Sequence, residues 1–273
     1  MSSPQVERSQ AWFPAPWRAS AWARAAQEPF DLIVVGGGIT GAGIARDAAL
    51  RGMRVGLFDR GDFGNGTSSR SSRLVHGGVR YLEHGHLHLV LESSRERRRL
   101  LRIAPHLVRP LAFTWPVYAG ARIPLWKVKA GLTLYDALAF FRNVAPHKRL
   151  APDEVLRDEP HLLADQLRGG ARYYDAAADD ARLVLANVIA AAEQGSVVLN
   201  YAAVEKVAAN NEAQRAWRVD VRDAVTGALH GLRAHAVVFA LGPWSDGVAQ
   251  IIGRDAPSTR VLGSIGAHIA VDR

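Results

Sequence analysis

No cysteine occurs anywhere in the chain, and that absence removes disulfides, thiolate-held iron–sulfur clusters and thiol nucleophiles from consideration. Any redox work must come from a bound organic cofactor. No stretch approaches the roughly 18 consecutive apolar residues of a spanning helix, so the chain does not cross a bilayer by itself. The region before Phe30 also lacks the continuous apolar core of a secretion signal. Acidic residues are in deficit: 26 Asp and Glu face 34 Lys and Arg, for a formal net charge of +8 and a pI near 10.3. That balance favours acidic partners, whether a phosphorylated substrate, an anionic membrane surface or nucleic acid. The cations are dispersed and no nucleic-acid module accompanies them, so nucleic acid is set aside. No internal repeat or low-complexity tract is present. With 48% hydrophobic residues, the 273-residue chain can bury a core large enough for one large domain or two interleaved ones.

What is present starts with the segment from Asp31 to Asp59. An apolar run, Leu32-Ile33-Val34-Val35, leads into the turn Gly36-Gly37-Gly38-Ile39-Thr40-Gly41. An alanine-rich helix over 42–51, a second strand over 54–58 and a terminal Asp59 come next. This is the order of a dinucleotide site. Gly36 permits the tight turn, Gly38 lets backbone approach a pyrophosphate, and Gly41 lets the helix pack closely on the sheet, its amides facing the phosphates. Asp59 comes after Gly36 by about 20 residues, where a carboxylate can accept hydrogen bonds from ribose hydroxyls. A purely structural glycine turn is the alternative, and the matching flanks weigh against it.

Beyond Asp59 the polar run Thr67-Ser68-Ser69-Arg70-Ser71-Ser72-Arg73 passes into Leu74-Val75-His76-Gly77-Gly78-Val79-Arg80-Tyr81-Leu82. It reads as an extended loop leading into a helix. Its hydroxyls and amides suit a diphosphate or a flavin ring, and its paired glycines imply close packing. An amphipathic helix is expected over 87–103, with Arg95, Glu96, Arg97, Arg98 and Arg99 as a solvated face. The stretch 111–141 mixes Trp115, Trp126, Leu132, Leu134 and Phe141 with Arg122, Lys127, Lys129 and Arg142. It is either core with basic edges or a surface whose cations meet anionic lipid. Ahead of the first strand, Trp12, Trp17 and Trp22 stand among Arg8, Arg18 and Arg24; a flexible or helical extension and an interfacial anchor both remain open. Further on, Asp179 is placed to cap a helix over 183–193. Strands are expected over 197–207 and 217–225, with a turn at Thr226-Gly227 and a return strand to Ala234. A buried strand over 236–240 then ends in Leu241-Gly242-Pro243-Trp244.

Among candidate chemical groups, His76, Arg80 and Tyr81 lie together. Arginine can grip a phosphate bidentately, tyrosine can donate to it, and histidine can take a proton from an alcohol near neutral pH. A plain surface Arg-Tyr pair is the alternative. His84, His86 and His88 would line one face of a strand but splay on a helix, and no further ligands support a metal.

Several of these blocks resemble FAD-dependent glycerol-3-phosphate dehydrogenase. They are the glycine fingerprint through Ala48, the run Thr67-Ser68-Ser69 to Leu74, the block His76-Gly77-Gly78-Val79-Arg80-Tyr81-Leu82-Glu83, Ala104-Pro105-His106, Asp179-Asp180-Ala181-Arg182-Leu183 and Leu241-Gly242-Pro243-Trp244. The resemblance implies an α/β fold, a glutathione-reductase-like FAD-binding Rossmann domain interleaved with a mixed α+β substrate domain that is incomplete here. It divides the chain into an extension (1–29), a first FAD-binding part (30–110), a substrate or membrane-proximal segment (111–170), a second FAD-binding part (171–255) and the start of a substrate-domain strand (256–273). It implies oxidation of sn-glycerol 3-phosphate to dihydroxyacetone phosphate, with hydride transfer to FAD and electrons passed to membrane quinone. The enzyme would be cytoplasmic, peripherally associated with the inner membrane through its anionic surface, with a homodimer as one expectation. Carried over, Gly36, Gly38, Gly41 and Asp59 would hold the ADP half of FAD, with Ile39, Thr40, Arg60, Val204 and Gly242 as further cofactor-binding residues. Thr67, Ser68, Ser69 and Ser72 would line the diphosphate and ring, while Arg80 and Tyr81 would meet the substrate phosphate. His76 is the implied base, with His268 as its rival.

The chain also departs from that pattern. Asp59 stands where the family more often has glutamate, and Leu262 and Ile265 stand where relatives often show Arg and Lys. The family's later substrate residues, second flavin-binding stretch and C-terminal helical domain have no counterpart, so a truncated chain is expected. An oxygen-using glycerol-3-phosphate oxidase, a non-catalytic FAD-binding fragment and a cofactor-free membrane-surface protein are the rival readings.

Overall fold

A computed structural model describes residues 17–83, 85–139, 144–210, 216–253, 261 and 266. In chain order the elements are α1 (Trp17–Gln27), β1 (Phe30–Val35), α2 (Ile39–Leu50), β2 (Val55–Phe58), β3 (Leu74–Val75), α3 (Val79–Glu83), α4 (Leu87–Ile103), β4 (Val108–Tyr118) and α5 (Leu125–Leu138). After these come β5 (Lys148–Leu150), α6 (Pro152–Asp158), β6 (Leu167–Ala178), α7 (Asp180–Glu193), β7 (Val197–Leu199), β8 (Ala202–Asn210), β9 (Ala216–Asp223), β10 (Leu229–Phe239) and α8 (Val248–Ile252). They fall into two compact units: one holds the described residues up to Arg70 and from Asp180 onward, the other is Ser71–Asp179. The fold is thus α/β with a second unit inserted into the first in sequence. The insertion runs from Ser71 to Asp179.

The first unit is built on a mixed sheet of order β7-β2-β1-β10-β9-β8. β1 is apolar throughout its last four residues because both faces are covered. Ile33 and Val35 pack with Trp22, Phe58 and Val221, while Leu32 and Val34 pack with Ala42 and Ala45 of α2 and Val184 and Val188 of α7. Such fully buried parallel strands lose the polar alternation of half-exposed ones. The two strands expected on either side of His235 are one continuous strand: β10 pairs antiparallel with β9 from Leu229 to Ala234 and parallel with β1 from Ala234 to Phe239. Nothing between them breaks an extended chain. Full burial at 236–240 is not found. Ala236 is exposed and Val237 to Ala240 are partly buried, because β9 leaves this strand at Ala234. The expected single strand over 197–207 is instead two, broken at Tyr201 (φ +49°), with β7 parallel to β2 and β8 antiparallel to β9.

α1 corrects the anchor alternative for Trp22 and Arg18. The Trp22 indole is buried, stacks on His230 at 3.9 Å and donates to Asp223 at 2.8 Å, while Arg18 ion-pairs with the same carboxylate at 2.6 Å. Arg24 lies over the Trp17 ring; Arg8 and Trp12 are outside the described residues. Asp223 is fully buried. Burial alone would raise its pKa, but hydrogen bonds from Arg18, the Val225 amide and Trp22, with the Arg18 charge, hold it well below the usual carboxylate range.

The second unit is an antiparallel sheet, β3-β6-β4, with β5 also pairing to β6. The stretch 111–141 therefore holds a strand and a helix. α5 turns Val128 and Leu132 into the core and leaves Trp126 72% exposed. The charged run of α4 is solvated at Arg95, Glu96 and Arg99, but not at Arg97, which is 2% exposed.

Asp223→Asn leaves Arg18 beside a neutral amide, and loss of one partner from a buried ion pair is expected to cost about 3 kcal/mol at neutral pH. A depressed folded-state pKa gives stability that is complete above the unfolded value of about 3.9 and lost as pH falls below it. Thermal melts between neutral and acid pH should therefore show a smaller wild-type advantage at each step below that value; a constant gap would contradict the assignment.

Candidate functional site

The turn from β1 into α2 is a place of minimal clearance. Gly36 has φ +106°, and a Cβ there would lie 2.5 Å from the Ala240 carbonyl oxygen at the end of β10. A Cβ on Gly41 would lie 1.8 Å from the carbonyl oxygen of Gly36. No side chain fits either position. Gly38 differs: a Cβ there would meet only Ser68 Oγ, at 3.6 Å, so this glycine keeps open the space before the first turn of α2. Gly38 is also the N-cap of α2 and offers no capping side chain. The positive end of the helix is thereby exposed to an anion, as a pyrophosphate site requires.

The rest of the first-unit group closes around that turn. Asp59 Oδ2 accepts the Gly37 amide at 2.5 Å, and Oδ1 accepts the Gly61 amide at 2.8 Å. The β7–β8 junction holds Asp59 from the other side, where its amide donates to the Leu199 carbonyl and its carbonyl accepts from Ala202. Ile39, exposed in the first turn, donates its amide to Ser68 Oγ at 3.1 Å; Thr40 beside it is exposed. Thr67, Ser68 and Ser69 form a single 3₁₀ turn in which Ser69 Oγ donates to the Gly64 carbonyl. Arg60 lies over the Trp244 ring at 5.2 Å, and Gly242, at φ +56°, opens the turn carrying that tryptophan. Val204 packs its side chain into the core from β8, so only its backbone is left to meet a ligand. The open cradle at Gly38, a helix whose N-cap residue has no side chain, and the acid at the end of β2 fit a dinucleotide.

The other candidates lie in the second unit. Ser72 comes directly after its first residue and is exposed. His76 is exposed just past β3, and its ring centroid is 6.2 Å from that of Tyr81. Arg80 and Tyr81 are on α3. His268, Leu262 and Ile265 lie outside the described residues. Of the histidine trio, His86 is at the N-cap position of α4 without capping it by its side chain and His88 is in the first turn, both exposed; His84 is outside the described residues.

The second unit also holds a buried polar cluster that the sequence pattern did not reveal. Asp175 Oδ1 accepts the Gly77 amide at 2.9 Å and the Tyr135 hydroxyl at 2.7 Å, and it is ion-paired with Arg97. Arg97 also donates to the Tyr135 oxygen at 2.6 Å. Burial first, and then the Asp175 charge, push the Tyr135 phenol far above its ordinary pKa, so it stays a neutral donor. A signal for it exists in α4, where Val90, Ser94 and Arg97 recur at helical spacing on the buried face.

A family profile described as FAD dependent oxidoreductase matches residues 31–273. The chain is 42% identical over 260 residues to a glycerol-3-phosphate dehydrogenase of Mycobacterium leprae, covering 94% of this chain and 43% of that protein. It is 37% identical over 249 residues to an alpha-glycerophosphate oxidase of Streptococcus pneumoniae, covering 90% of this chain and 41% of that protein. The structure of glycerol-3-phosphate dehydrogenase from Bacillus halodurans complexed with FAD aligns with a TM-score of 0.67 at 32% identity, over 87% of this chain and 39% of that one. The chain thus spans less than half the length of these relatives.

Gly38→Ala and Gly41→Ala should separate the two uses of glycine. Gly38→Ala should keep the wild-type melting temperature without cofactor yet weaken FAD binding by about tenfold in a fluorescence titration, because it fills only ligand space. Gly41→Ala should lower the melting temperature itself, since its Cβ meets backbone.

Proposed function

This chain belongs to the FAD dependent oxidoreductase family, and from that premise we propose that it oxidises sn-glycerol 3-phosphate to dihydroxyacetone phosphate and that the electrons leave to a membrane quinone. The observation that carries the reading is the open space at Gly38, before a helix whose own N-cap residue offers no side chain, with Asp59 holding the neighbouring Gly37 amide. FAD, when bound, supplies the two-electron acceptor that a chain without cysteine lacks. The first unit is the cofactor unit. Gly36, Gly38 and Gly41 give backbone access to the diphosphate, Asp59 takes the ribose hydroxyls, and the Thr67–Ser69 turn contributes hydroxyls beside the helix terminus.

The second unit is the substrate unit, with Arg80 and Tyr81 binding the phosphate. His76 takes the proton from the C2 hydroxyl as the C2 hydrogen departs with its electron pair, so that the carbon becomes a ketone and the histidine an imidazolium. The substrate assignment is supported by the relatives near 40% identity and by the basic charge of the chain. A quinone acceptor and peripheral contact with the anionic inner-membrane surface are supported by the outer face of α5, where exposed Trp126 and Leu134 stand beside Lys127 and Lys129. Among the described residues no helix is long and apolar enough to cross a membrane. The second reading, oxygen as acceptor, is favoured by the similarity to the streptococcal oxidase.

Anaerobic addition of glycerol 3-phosphate to the flavin-loaded protein should bleach the visible flavin band, and glycerol should not. A short-chain quinone should then restore the band, and turnover in air without quinone should give little peroxide. Peroxide produced in proportion to substrate would move the assignment to the oxidase, and no bleaching would end it.

A further inference from the structure

Asp175 lies in β6, the central strand of the second unit, one residue past the point where β3 stops pairing: Val75 is opposite Ala176, and the chain then leaves the sheet at His76. Arg97 reaches it from α4 and Tyr135 from α5. Asp175 and Arg97 are each 2% exposed and Tyr135 is completely buried. Placing an ion pair and a phenol in such a core is costly compared with apolar side chains, and the cluster is held together by mutual hydrogen bonds. It also spends one acceptor on a backbone group outside the sheet, the Gly77 amide. Gly77 fits flush against it: a Cβ there would stand 1.9 Å from the Tyr135 hydroxyl and 2.7 Å from Arg97 Nη1.

The candidate substrate groups are carried by the segment just beyond Gly77. Gly78 turns the chain with φ +76°, and the Tyr81 ring folds back over it so closely that a Cβ on Gly78 would lie 2.3 Å from Tyr81 Cδ2. The Tyr81 amide donates to the Gly78 carbonyl at 2.8 Å. The position of Tyr81 is therefore transmitted through two glycines from one carboxylate. We propose that Asp175, Arg97 and Tyr135 are positioning residues for phosphate recognition, setting the backbone from His76 to Tyr81 through the Gly77 amide without touching the substrate. This rests on the assignment of glycerol 3-phosphate as substrate to that segment.

The test compares Asp175→Ala, Asp175→Asn and Tyr135→Phe in the flavin-loaded full chain. Two readouts are needed: amide hydrogen exchange of the 74–82 peptide, and the KM and kcat for glycerol 3-phosphate. Asp175→Ala should speed exchange in 74–82 selectively and raise KM by about tenfold with kcat nearly unchanged, as expected when a hydrogen bond to a charged group organises ground-state and transition-state binding alike. Asp175→Asn, which keeps an acceptor for the Gly77 amide, should recover most of that loss. Tyr135→Phe keeps the ring and should give a smaller rise of about threefold. Should Asp175→Ala fail to fold, Tyr135→Phe decides. Wild-type KM and wild-type exchange in a folded Asp175→Ala or Tyr135→Phe would overturn the proposal, as would faster exchange spread evenly over the second unit or an Asp175→Asn no better than Asp175→Ala. If glycerol 3-phosphate does not bleach wild-type flavin, the substrate assignment falls, and the exchange comparison alone decides whether the cluster holds the segment.

Discussion

The first unit depends on one backbone-to-backbone approach, the contact of α2 at Gly41 with the carbonyl of Gly36. Because that distance leaves no room for a Cβ, the helix axis is brought close to the end of β1, and its amide terminus comes to lie over the turn. Other features depend on it. β10 can run parallel beside β1 and end with the Ala240 carbonyl against Gly36, since nothing projects from the turn. Alanines at 42, 45, 48 and 49 continue the close packing down the helix, where larger residues would lift it from the sheet. The geometry of the proposed anion site is thus a product of core packing, not of residues added to it.

The second unit organises its candidate site by a different force. There the chain leaves β3 and must hold an extended, glycine-rich segment outside the sheet, where ladder hydrogen bonds end. A buried carboxylate takes over that role by accepting the Gly77 amide, and Arg97 and Tyr135 make the carboxylate tolerable by neutralising it and donating to the same oxygen. Charge burial is a costly way to fix a loop compared with apolar packing. Its gain is directionality: a hydrogen bond specifies the orientation of a peptide plane, which a methyl contact does not.

Legibility in the sequence divides along the same line. The glycine turn, its flanking strands and Asp59 are readable because each position has few chemical solutions: only glycine adopts the φ of Gly36 without strain, and no other residue fits at Gly41. Arg97 defeats such a reading because charge is a good predictor of exposure in general, and the partner that overrides it, Asp175, is far away in sequence. The packing of α1 is hidden for a like reason. Trp22 and Arg18 suit a lipid interface by composition, and only the fold brings them to Asp223. β10 reads as two strands because its pairing partner changes at Ala234 while its extended backbone does not, and burial reports partners whereas local sequence reports backbone.

Asp59 joins the two kinds of constraint. A carboxylate offers about four lone-pair sites, and the Gly37 and Gly61 amides use one on each oxygen. The same residue therefore closes the turn and still has acceptors for two ribose hydroxyls. Its length matters to this double use: a glutamate would set its carboxylate one methylene farther from the backbone it now holds. A ribose phosphate brought to this position would meet an anion already committed to the fold, a repulsion that side-chain motion cannot relieve without opening the turn. At the proposed cofactor site, the choice of cofactor is consequently tied to the stability of the glycine turn itself, through one aspartate.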